Sequence, residues 1–438
     1  MHVPILKPFL CLPIAMSLQD GSWREVANNP HCLEIIENNP HMTFEIDPPF
    51  HRILRVDAKE MSYRKTDHEV KTRIHWGQRK LLMSEIEFLT LLRRDRLRLS
   101  LVVYAGAAPG SHIPYLCKLF PDVHFLLVDP ANFNVRESER VTIIQDLFTD
   151  ELAERIARDN RDRTIYFVSD IRTADPDTNT QDEVERRVRW DQASQMRWHD
   201  LLNSKRSMLK FRLPWDLSTR TVPDLEYEDE TEYLDGDIYL PVWGPQKTTE
   251  CRLITRQGME GARTLYNNKK YESQLMYFNN VTRHSLYSHD ITGQGIDHCY
   301  DCMAEIHILK GYLLEFTDVK YDELAGETSR MSRDISRLIP GGRTLLSPNP
   351  DPATRKHNIK RRQYRENRPA HEHAADEHRR RADDQRDRDR ARPWQTAPGH
   401  RNHWQGDDAG HEWHPIQPTD LRFQLDRGLC KRCRHNFT

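Results

Sequence analysis

The sequence predicts an α/β protein with a doubly wound, mostly parallel sheet. Four short apolar runs, rich in β-branched and aromatic residues, lie at 100–106, 123–129, 141–144 and 164–170. Segments with helical character lie between them and after the fourth run. Strands that alternate with helices are joined by right-handed crossovers, which place successive strands in parallel. This alternation is the main observation behind the fold class.

The predicted elements begin with an amphipathic helix over 78–95. Its apolar side chains recur at helical spacing, at Leu81, Leu82, Ile86, Leu89 and Leu92. The helices between and after the first four strands are predicted at 111–120, 150–159 and 181–204. Later strands are predicted at 207–215, 237–244 and 250–256, and later helices at 267–282 and 297–315. The sheet therefore extends beyond its first four strands and has flanking helices.

The composition indicates a globular part joined to a solvated one. Hydrophobic residues make up 37% of the 438 residues and charged residues 30%, which is typical of a folded domain with a long polar segment. We predict an irregular N-terminal arm over 1–60, a folded domain over 61–345, a disordered charged tail over 346–410 and a short C-terminal segment over 411–438. The tail is rich in Arg, His and acidic residues, so it cannot offset its ordering entropy by burial.

Net charge and cysteine content indicate which binding partners and which cellular compartment suit this protein. The formal net charge of −2 gives no general attraction to nucleic acid, so RNA binding requires a local basic cleft. The apolar stretch over 5–16 is interrupted by Lys7, Pro8 and Pro13 and is too short to span a bilayer. Eight cysteines in a chain of this length do not form a disulfide scaffold. We therefore expect a soluble protein of the reducing cytoplasm without a membrane partner.

A loop of small residues, AGAAPG at 105–110, follows the first strand. Its backbone can approach a ligand closely, and the next helix offers unpaired N–H groups. Asp129 ends the neighbouring strand at the same sheet edge, where a carboxylate can bind both hydroxyls of a ribose. Dinucleotides and S-adenosylmethionine (SAM) both use this pattern, and the absence of a full GxGxxG disfavours a dinucleotide. Asp170 ends the fourth strand and either faces the reacting centre or caps a helix.

Seven motifs carry a family resemblance. In chain order they are HWGQRKLLMSEIEFL, VVYAGAAPGSHIPYL, LLVDP, VSDIR, MLKFRLPW, TTECRLIT and KKYESQLMYFN. Their order and approximate spacing resemble those of the poxvirus cap-specific mRNA (nucleoside-2′-O-)-methyltransferases, over about Tyr63 to Tyr312. That family also supplies the small, processivity subunit of the poxvirus poly(A) polymerase. The resemblance implies a Rossmann-like methyltransferase fold, SAM as cofactor, capped mRNA as substrate and a poly(A) polymerase catalytic subunit as partner.

The resemblance assigns a Lys-Asp-Lys-Glu tetrad to Lys80, Asp170, Lys210 and Glu250. Methyl transfer to a ribose 2′-OH is an in-line displacement whose nucleophile has a pKa far above neutrality. The site must therefore orient the hydroxyl and stabilise the developing alkoxide. Our hypothesis is that Lys210 does this, and that it acts as the base if its pKa is depressed. A nearby Lys80 favours deprotonation, whereas the two carboxylates hold the ammonium groups and oppose it.

The resemblance also implies the cofactor contacts. Those around the methionine moiety and the loop are Gln78, Tyr104, Gly106 and Gly110. The ribose hydroxyls are assigned to Asp129, and the adenine to Phe148 and Thr149. One position departs from the family pattern: the family has Arg two residues after its ribose-binding acid, and this chain has Ala131.

Cap recognition requires a methylated, positively charged guanine stacked between aromatic rings, with a carboxylate accepting from its base edge. The matching positions are Trp215 for one ring and Glu272 for the carboxylate. Asp216 is a second candidate acid, and Tyr63 lies near the place expected for the opposing ring. Arg212 is expected to contact nearby phosphates or backbone.

Two CxxC pairs form a candidate zinc cluster of Cys299, Cys302, Cys430 and Cys433. The spacing within each pair suits zinc, but the first pair lies in a predicted helix that matches a metal-free part of the family. A long charged segment also separates the two pairs. The tail itself is either a solvated tether or a weak contact for RNA or a partner.

Three functions remain open from the sequence. The first is cap 2′-O-methylation in a large DNA virus that replicates in the host cytoplasm. The second is an RNA-binding processivity subunit of a viral poly(A) polymerase, with or without catalysis. The third is 2′-O-methylation of internal RNA ribose. The intact tetrad favours catalysis, and Trp215 and Glu272 favour the cap, because an internal site needs no guanine slot.

Overall fold

The structure, a computed structural model, describes residues 15–17, 43–62, 77–174, 179–214, 229–245, 248–291 and 296–338. The predicted tail over 346–410 and the segment over 411–438 lie outside the described residues. Among the described helices, none is long and apolar enough to cross a bilayer.

The strands form one large sheet and two small ones. In chain order they are β1 (Ala15–Ser17), β2 (Thr43–Glu45), β3 (Leu101–Ala105), β4 (His124–Val128), β5 (Val141–Ile144), β6 (Ile165–Ser169), β7 (Arg206–Phe211), β8 (Glu230–Leu234), β9 (Gly236–Tyr239), β10 (Cys251–Thr255) and β11 (Arg263–Asn267). The large sheet has the order β5-β4-β3-β6-β7-β10-β9. Its first five strands are parallel, and β10 is antiparallel to both of its neighbours. The protein is therefore a mixed α/β protein with a mostly parallel central sheet, and every strand predicted for that sheet is present.

Six of the seven described α-helices fall into two groups, and each of these helices contacts at least one other member of its group. In chain order they are α1 (Gly77–Arg94), α2 (Ile113–Leu119), α3 (Asp150–Asp159), α4 (Gln181–Leu201), α5 (Asn268–Asn280), α6 (Tyr300–Phe316) and α7 (Leu324–Leu338), with a 3-10 helix at Thr282–His284. Helix α1 contacts α2 and α6, α6 contacts α7, and α3 contacts α4. Strands β3, β6 and β10 are buried along their whole length, as expected when both faces of a sheet are covered.

Local sequence explains where the helices begin. Thr149 precedes α3, and its side chain accepts a hydrogen bond from the Leu152 N–H. Thr180 precedes α4 and forms a capping box with Glu183. Because Thr180 caps this helix, the alternative of a helix-capping role for Asp170 does not apply to α4.

The strand order reverses beside β3. From β3 the chain passes to β4 and β5 on one side, then to β6 and β7 on the other. The loops that follow β3 and β6 therefore diverge at the carboxyl edge of the sheet, the usual position of a ligand crevice in open α/β sheets. The AGAAPG loop and Asp170 are thus placed at this crevice.

Part of the segment expected to be an irregular arm is packed into the fold. Phe44, on β2, is fully buried within the core, and Ile53 forms an isolated bridge with Tyr239 on β9. The pairing of β1 with β2 was not predicted, and neither were β8 and β11, which pair with each other, or α7. Side chains along β11 alternate between exposed and half-buried, so this strand lacks the apolar run that signals a buried one.

Candidate active site

The four residues of the predicted tetrad meet at the carboxyl edge of the parallel strands. Lys80 lies in the first turns of α1, Asp170 directly follows β6, and Glu250 directly precedes β10. Lys210 lies in β7, which is the neighbour of both β6 and β10. Four separate parts of the chain therefore contribute one side chain each.

Short contacts join these side chains. Lys80 Nζ lies 2.7 Å from Glu250 Oε1. Lys210 Nζ lies 3.1 Å from Asp170 Oδ1 and donates to the backbone oxygen of Asp170 at 2.9 Å. Its distance to Glu250 Oε2 is 3.9 Å, which is too long for a hydrogen bond. The Lys210 amine is thus held mainly by Asp170.

Two arginines that the sequence interpretation missed complete the cluster. Arg252 lies opposite Lys210 in the antiparallel register, and it contacts Asp170 Oδ1 at 2.6 Å and Glu250 Oε1 at 3.2 Å. Arg172 contacts Glu250 Oε2 at 2.8 Å from the edge of the cluster. Arg172 stands two residues after Asp170, and Arg252 stands two residues after Glu250. In an extended chain, side chains two positions apart point to the same face, so this spacing could have indicated both arginines.

The charges of the cluster are unbalanced in favour of cations. Four basic side chains surround two carboxylates, a formal excess of two positive charges that falls to one when Lys210 is neutral. An excess of fixed positive charge in a poorly solvated site stabilises an anion that develops nearby. The cluster is therefore suited to an oxyanionic transition state.

Burial and neighbouring charges act in opposite directions on the titrating groups. Burial raises the pKa of both carboxylates, but the cations outweigh it. Lys210 and Arg252 lower the pKa of Asp170, and Lys80 and Lys210 hold the pKa of Glu250 well below its usual range. Burial lowers the pKa of Lys210, although the two carboxylates oppose this shift. The acids therefore remain ionised at neutral pH, while Lys210 loses its proton more readily than an ordinary lysine.

A cleft of about 250 Å³ adjoins the tetrad. Its lining includes Ile171, Arg172, Val184, Asp191, Lys210 and Glu250. The Asp191 carboxylate accepts hydrogen bonds from the Thr173 N–H and hydroxyl, at 3.1 and 2.8 Å, and thereby ties α4 to the loop after β6. The cleft thus reaches Lys210, and its walls carry both apolar and charged groups.

The loop after β3 is shaped by close backbone contacts. Gly106 has φ +79°, and a Cβ there would lie 2.8 Å from the Ile171 nitrogen. Only glycine accommodates both the conformation and the contact. Gly110 also has a positive φ, of +65°. The loop after β3 consequently packs directly against the backbone of the segment that carries Asp170.

Asp129 stands at the end of β4, beside the same loop. Its two carboxylate oxygens accept hydrogen bonds from the backbone N–H groups of Ala108, at 3.1 Å, and Ala131, at 2.8 Å. These bonds hold the carboxylate at the sheet edge and leave lone pairs on both oxygens. Ala131, the position that departs from the family pattern, thus contributes its backbone rather than a side chain.

A family model described as a poly(A) polymerase regulatory subunit matches residues 45–338. The chain belongs to this family. Two relatives named cap-specific mRNA (nucleoside-2′-O-)-methyltransferase come from Myxoma virus (strain Lausanne) and Fowlpox virus (strain NVSL). The first is 26% identical over 284 residues, covering 61% of this chain and 80% of the relative. The second is 28% identical over 257 residues, covering 54% of this chain and 77% of the relative.

Solved structures give weaker similarity. One is bluetongue virus VP4, whose structure is described as an RNA-capping production line, with 11% identity and a TM-score of 0.31. The match covers 62% of this chain and less than half, 45%, of that chain. Another is a ribosomal RNA methyltransferase from Plasmodium falciparum, with 10% identity and a TM-score of 0.25, covering 40% of this chain and 97% of that one. Scores at this level do not establish a shared fold.

The two residues expected to contact adenine, Phe148 and Thr149, directly precede α3. The Phe148 ring is 8% exposed and packs against Trp198 and Phe167, with ring centroids 4.8 and 5.7 Å away. The Thr149 hydroxyl accepts the Leu152 N–H at 3.2 Å. Both residues therefore have structural roles, and their contact with adenine stays a prediction.

The expected cap residues are described only in part. Tyr63, Trp215 and Asp216 lie outside the described residues. Glu272 lies on α5, and its neighbour Tyr271 donates to the backbone oxygen of Thr249 at 2.6 Å, which places this helix next to the tetrad. Arg212 contacts Glu185 on α4 at 2.7 Å.

The first CxxC pair lies at the start of α6. Cys299 and Cys302 are buried, and Asp297 joins them in a group whose candidate ligand atoms lie within 4.8 Å of one another. Asp297 Oδ1 accepts the Cys299 N–H at 2.9 Å, and the Asp297 N–H donates to Cys302 Sγ at 3.3 Å. Cys430 and Cys433 lie outside the described residues, so the four-cysteine zinc cluster stays a prediction.

Proposed function

We propose that this protein transfers a methyl group from SAM to the ribose 2′-OH of the first transcribed nucleotide of N7-methylguanosine-capped mRNA. The observation that carries the proposal is the convergence of Lys80, Asp170, Lys210 and Glu250 at the carboxyl edge of the sheet, beside a cleft. The family and the names of its poxvirus relatives support the same chemistry. The topology supports a Rossmann-like methyltransferase fold.

Lys210 is suited to accept the proton of the 2′-OH. A neutral lysine amine has two N–H bonds and one lone pair. Its two contacts to Asp170, at 2.9 and 3.1 Å, use the N–H bonds, so the lone pair is left for the ribose hydroxyl. As the 2′-oxygen bonds to the transferred methyl group, the bond from that methyl group to the cofactor sulfur would break and leave a neutral thioether. The proton of the hydroxyl passes to Lys210 Nζ, and the surrounding cations stabilise the developing alkoxide.

The loop after β3 fits a nucleoside cofactor. Its glycines bring backbone close to the crevice, and the Asp129 carboxylate is held where it can bind a ribose diol. SAM, when bound, supplies an electrophilic methyl group on a positively charged sulfur. We assign its methionine end to Gln78, Tyr104, Gly106 and Gly110, its ribose to Asp129 and its adenine to Phe148 and Thr149.

We propose that the cap binds near α5, the helix that carries Glu272. We assign the guanine edge to Glu272, one stacking ring to Trp215 and RNA phosphate contacts to Arg212. Asp216 and Tyr63 are the second acid and the opposing ring. Members of this family are expected to act on mRNA in the cytoplasm, and we place the reaction there.

A second function is favoured by the family model itself, which describes a regulatory subunit of poly(A) polymerase. Under this alternative the chain binds RNA and a polymerase catalytic subunit, with or without methyl transfer. Methylation of an internal RNA ribose is a third possibility that uses the same tetrad without a cap slot.

The test is methyl transfer from radiolabelled SAM to matched RNAs that end in an N7-methylguanosine cap, an unmethylated cap or a triphosphate. We expect label on the first transcribed ribose of the N7-methylated RNA, and we expect Lys210→Met to abolish it. Lys205→Met is the matched control, since Lys205 precedes β7 at its opposite end and pairs with Glu260. Label at internal riboses would support the third function, and RNA binding without any transfer would support the second.

A further inference from the structure

A polar cluster lies behind the loop after β3, beside the tetrad but separate from it. Gln78 and Glu85 lie two helical turns apart on α1, which places them on one face of that helix. His112 ends the loop, and Tyr104 lies in β3. His112, Glu85 and Tyr104 are only 1%, 2% and 1% exposed, whereas Gln78 is half-buried.

His112 connects the two helical residues. Its Nδ1 lies 2.8 Å from Gln78 Oε1, and its Nε2 lies 2.9 Å from Glu85 Oε1. The Tyr104 hydroxyl lies next to the same Glu85 carboxylate, and the charges of Asp170 and Arg252 also act on this hydroxyl. The cluster therefore joins the crevice at Gln78 to the edge of the tetrad.

Both hydrogen-bond partners of the His112 ring present an acceptor oxygen. An ionised carboxylate only accepts hydrogen bonds, so Nε2 carries a proton. The Gln78 oxygen also only accepts, so Nδ1 carries a proton as well. With this amide orientation both ring nitrogens of His112 donate, one to the Gln78 oxygen and one to the buried carboxylate of Glu85. A neutral imidazole would require the amide of Gln78 to reverse.

We propose that Glu85 and His112 are a positioning pair that fixes the Gln78 amide with its NH2 group toward the carboxylate of the SAM methionine moiety. The inference rests on the proposed function, which makes SAM the ligand. Among the described residues, no hydrogen bond from Gln78 Nε2 is present, so this donor is available to a ligand carboxylate.

The experiment is a double-mutant cycle on the full chain, with SAM affinity measured by calorimetry. Glu85→Gln preserves shape and replaces the carboxylate that accepts from His112 Nε2 by a neutral amide. We expect Glu85→Gln and Gln78→Ala each to weaken SAM binding about tenfold, the size expected for one hydrogen bond to a charged group. The double variant should bind no more weakly than Gln78→Ala alone, because Glu85 acts through Gln78.

A control variant on the same helix separates the positioning pair from a general effect of removing a carboxylate. Glu87 lies on the same helix as Glu85 and forms an ion pair with Arg52. Glu87→Gln breaks this ion pair and should leave SAM affinity unchanged. If the losses of SAM affinity add in the double variant while the wild type binds SAM, the positioning role of Glu85 and His112 is overturned and the proposed function stands. A wild-type chain that binds no SAM would overturn the proposed function itself.

A spectroscopic measurement tests the pair without substrate or turnover. In protein labelled with 15N-histidine, the His112 side chain, identified by its loss in His112→Gln, should show two protonated ring nitrogens at neutral pH. It should show one in Glu85→Gln. A neutral ring in the wild type would contradict the proposal even if both variants lose SAM affinity.

Discussion

Lys210 and Asp170 make two contacts through a single amine. Lys210 Nζ donates to the Asp170 backbone oxygen at 2.9 Å and lies 3.1 Å from its carboxylate oxygen Oδ1. The backbone contact persists whatever the ionisation of the carboxylate, so Asp170 orients the amine in both protonation states. The edge of the sheet therefore orients the proposed base.

The pH dependence of methyl transfer should reflect the titration of Lys210. Burial lowers the pKa of this amine, and the active form is neutral, so the rate should rise with pH through a pKa below that of an ordinary lysine. Glu250→Gln removes a negative charge that stabilises the ammonium form, so any remaining activity should rise at lower pH. Single-turnover rates at saturating SAM would measure both profiles. If the rise in rate moves to higher pH in Glu250→Gln, Lys210 is not the base.

Arg252 should be needed for both stability and activity. It is buried and bridges Asp170 and Glu250, so Arg252→Met leaves two carboxylates short of a partner and should cost about 3 kcal/mol of unfolding free energy. Arg252→Lys should recover only part of this, because an ammonium does not reproduce the planar bridge. Urea denaturation and methyl-transfer assays measure the two effects.

The control for Arg252 lies further along the same chain segment. Arg256 follows β10, and its side chain is 47% exposed. Arg256→Met should change the unfolding free energy by less than about 0.5 kcal/mol. Equal losses in the two variants would argue against a special role for Arg252.

Gly106→Ala should be more damaging than a positive φ alone explains. Its Cβ would lie 2.8 Å from the Ile171 nitrogen and 2.9 Å from the Asp170 carbonyl carbon. We expect a loss of about 2 kcal/mol or more in urea denaturation, with reduced methyl transfer because the Asp170 segment must shift. Gly258 has a similar φ of +76° and nothing within 4 Å of its Cβ position, so Gly258→Ala should cost only about 1 kcal/mol and leave activity intact.

Glu272 should affect the RNA substrate and not the cofactor. If its carboxylate accepts from the guanine base edge, Glu272→Gln should raise the KM for N7-methylguanosine-capped RNA about tenfold and leave the KM for SAM unchanged. Glu260→Gln, a carboxylate that pairs with Lys205 elsewhere on the fold, serves as the control. Equal KM values for capped RNA in the wild type and Glu272→Gln would argue for a different cap contact.

The sequence by itself determined the central α/β architecture and the family. Apolar runs and helical periodicity are local properties, so they located the strands of the large sheet and six of the described helices. Ordered motifs pointed to the family that the comparison supports, and to four residues that the fold brings together. The polar strand β11 and the helix α7 were missed because neither carries a strong local signal.

The tertiary structure decided which charged groups share the site. Arg252 meets Asp170 across 82 positions of sequence, and His112 meets Glu85 across 27. No periodicity encodes such pairs, because they depend on strand order and register. Burial was decided in the same way: the pKa of Lys210 is lowered chiefly because neighbouring strands and helices exclude water from its amine.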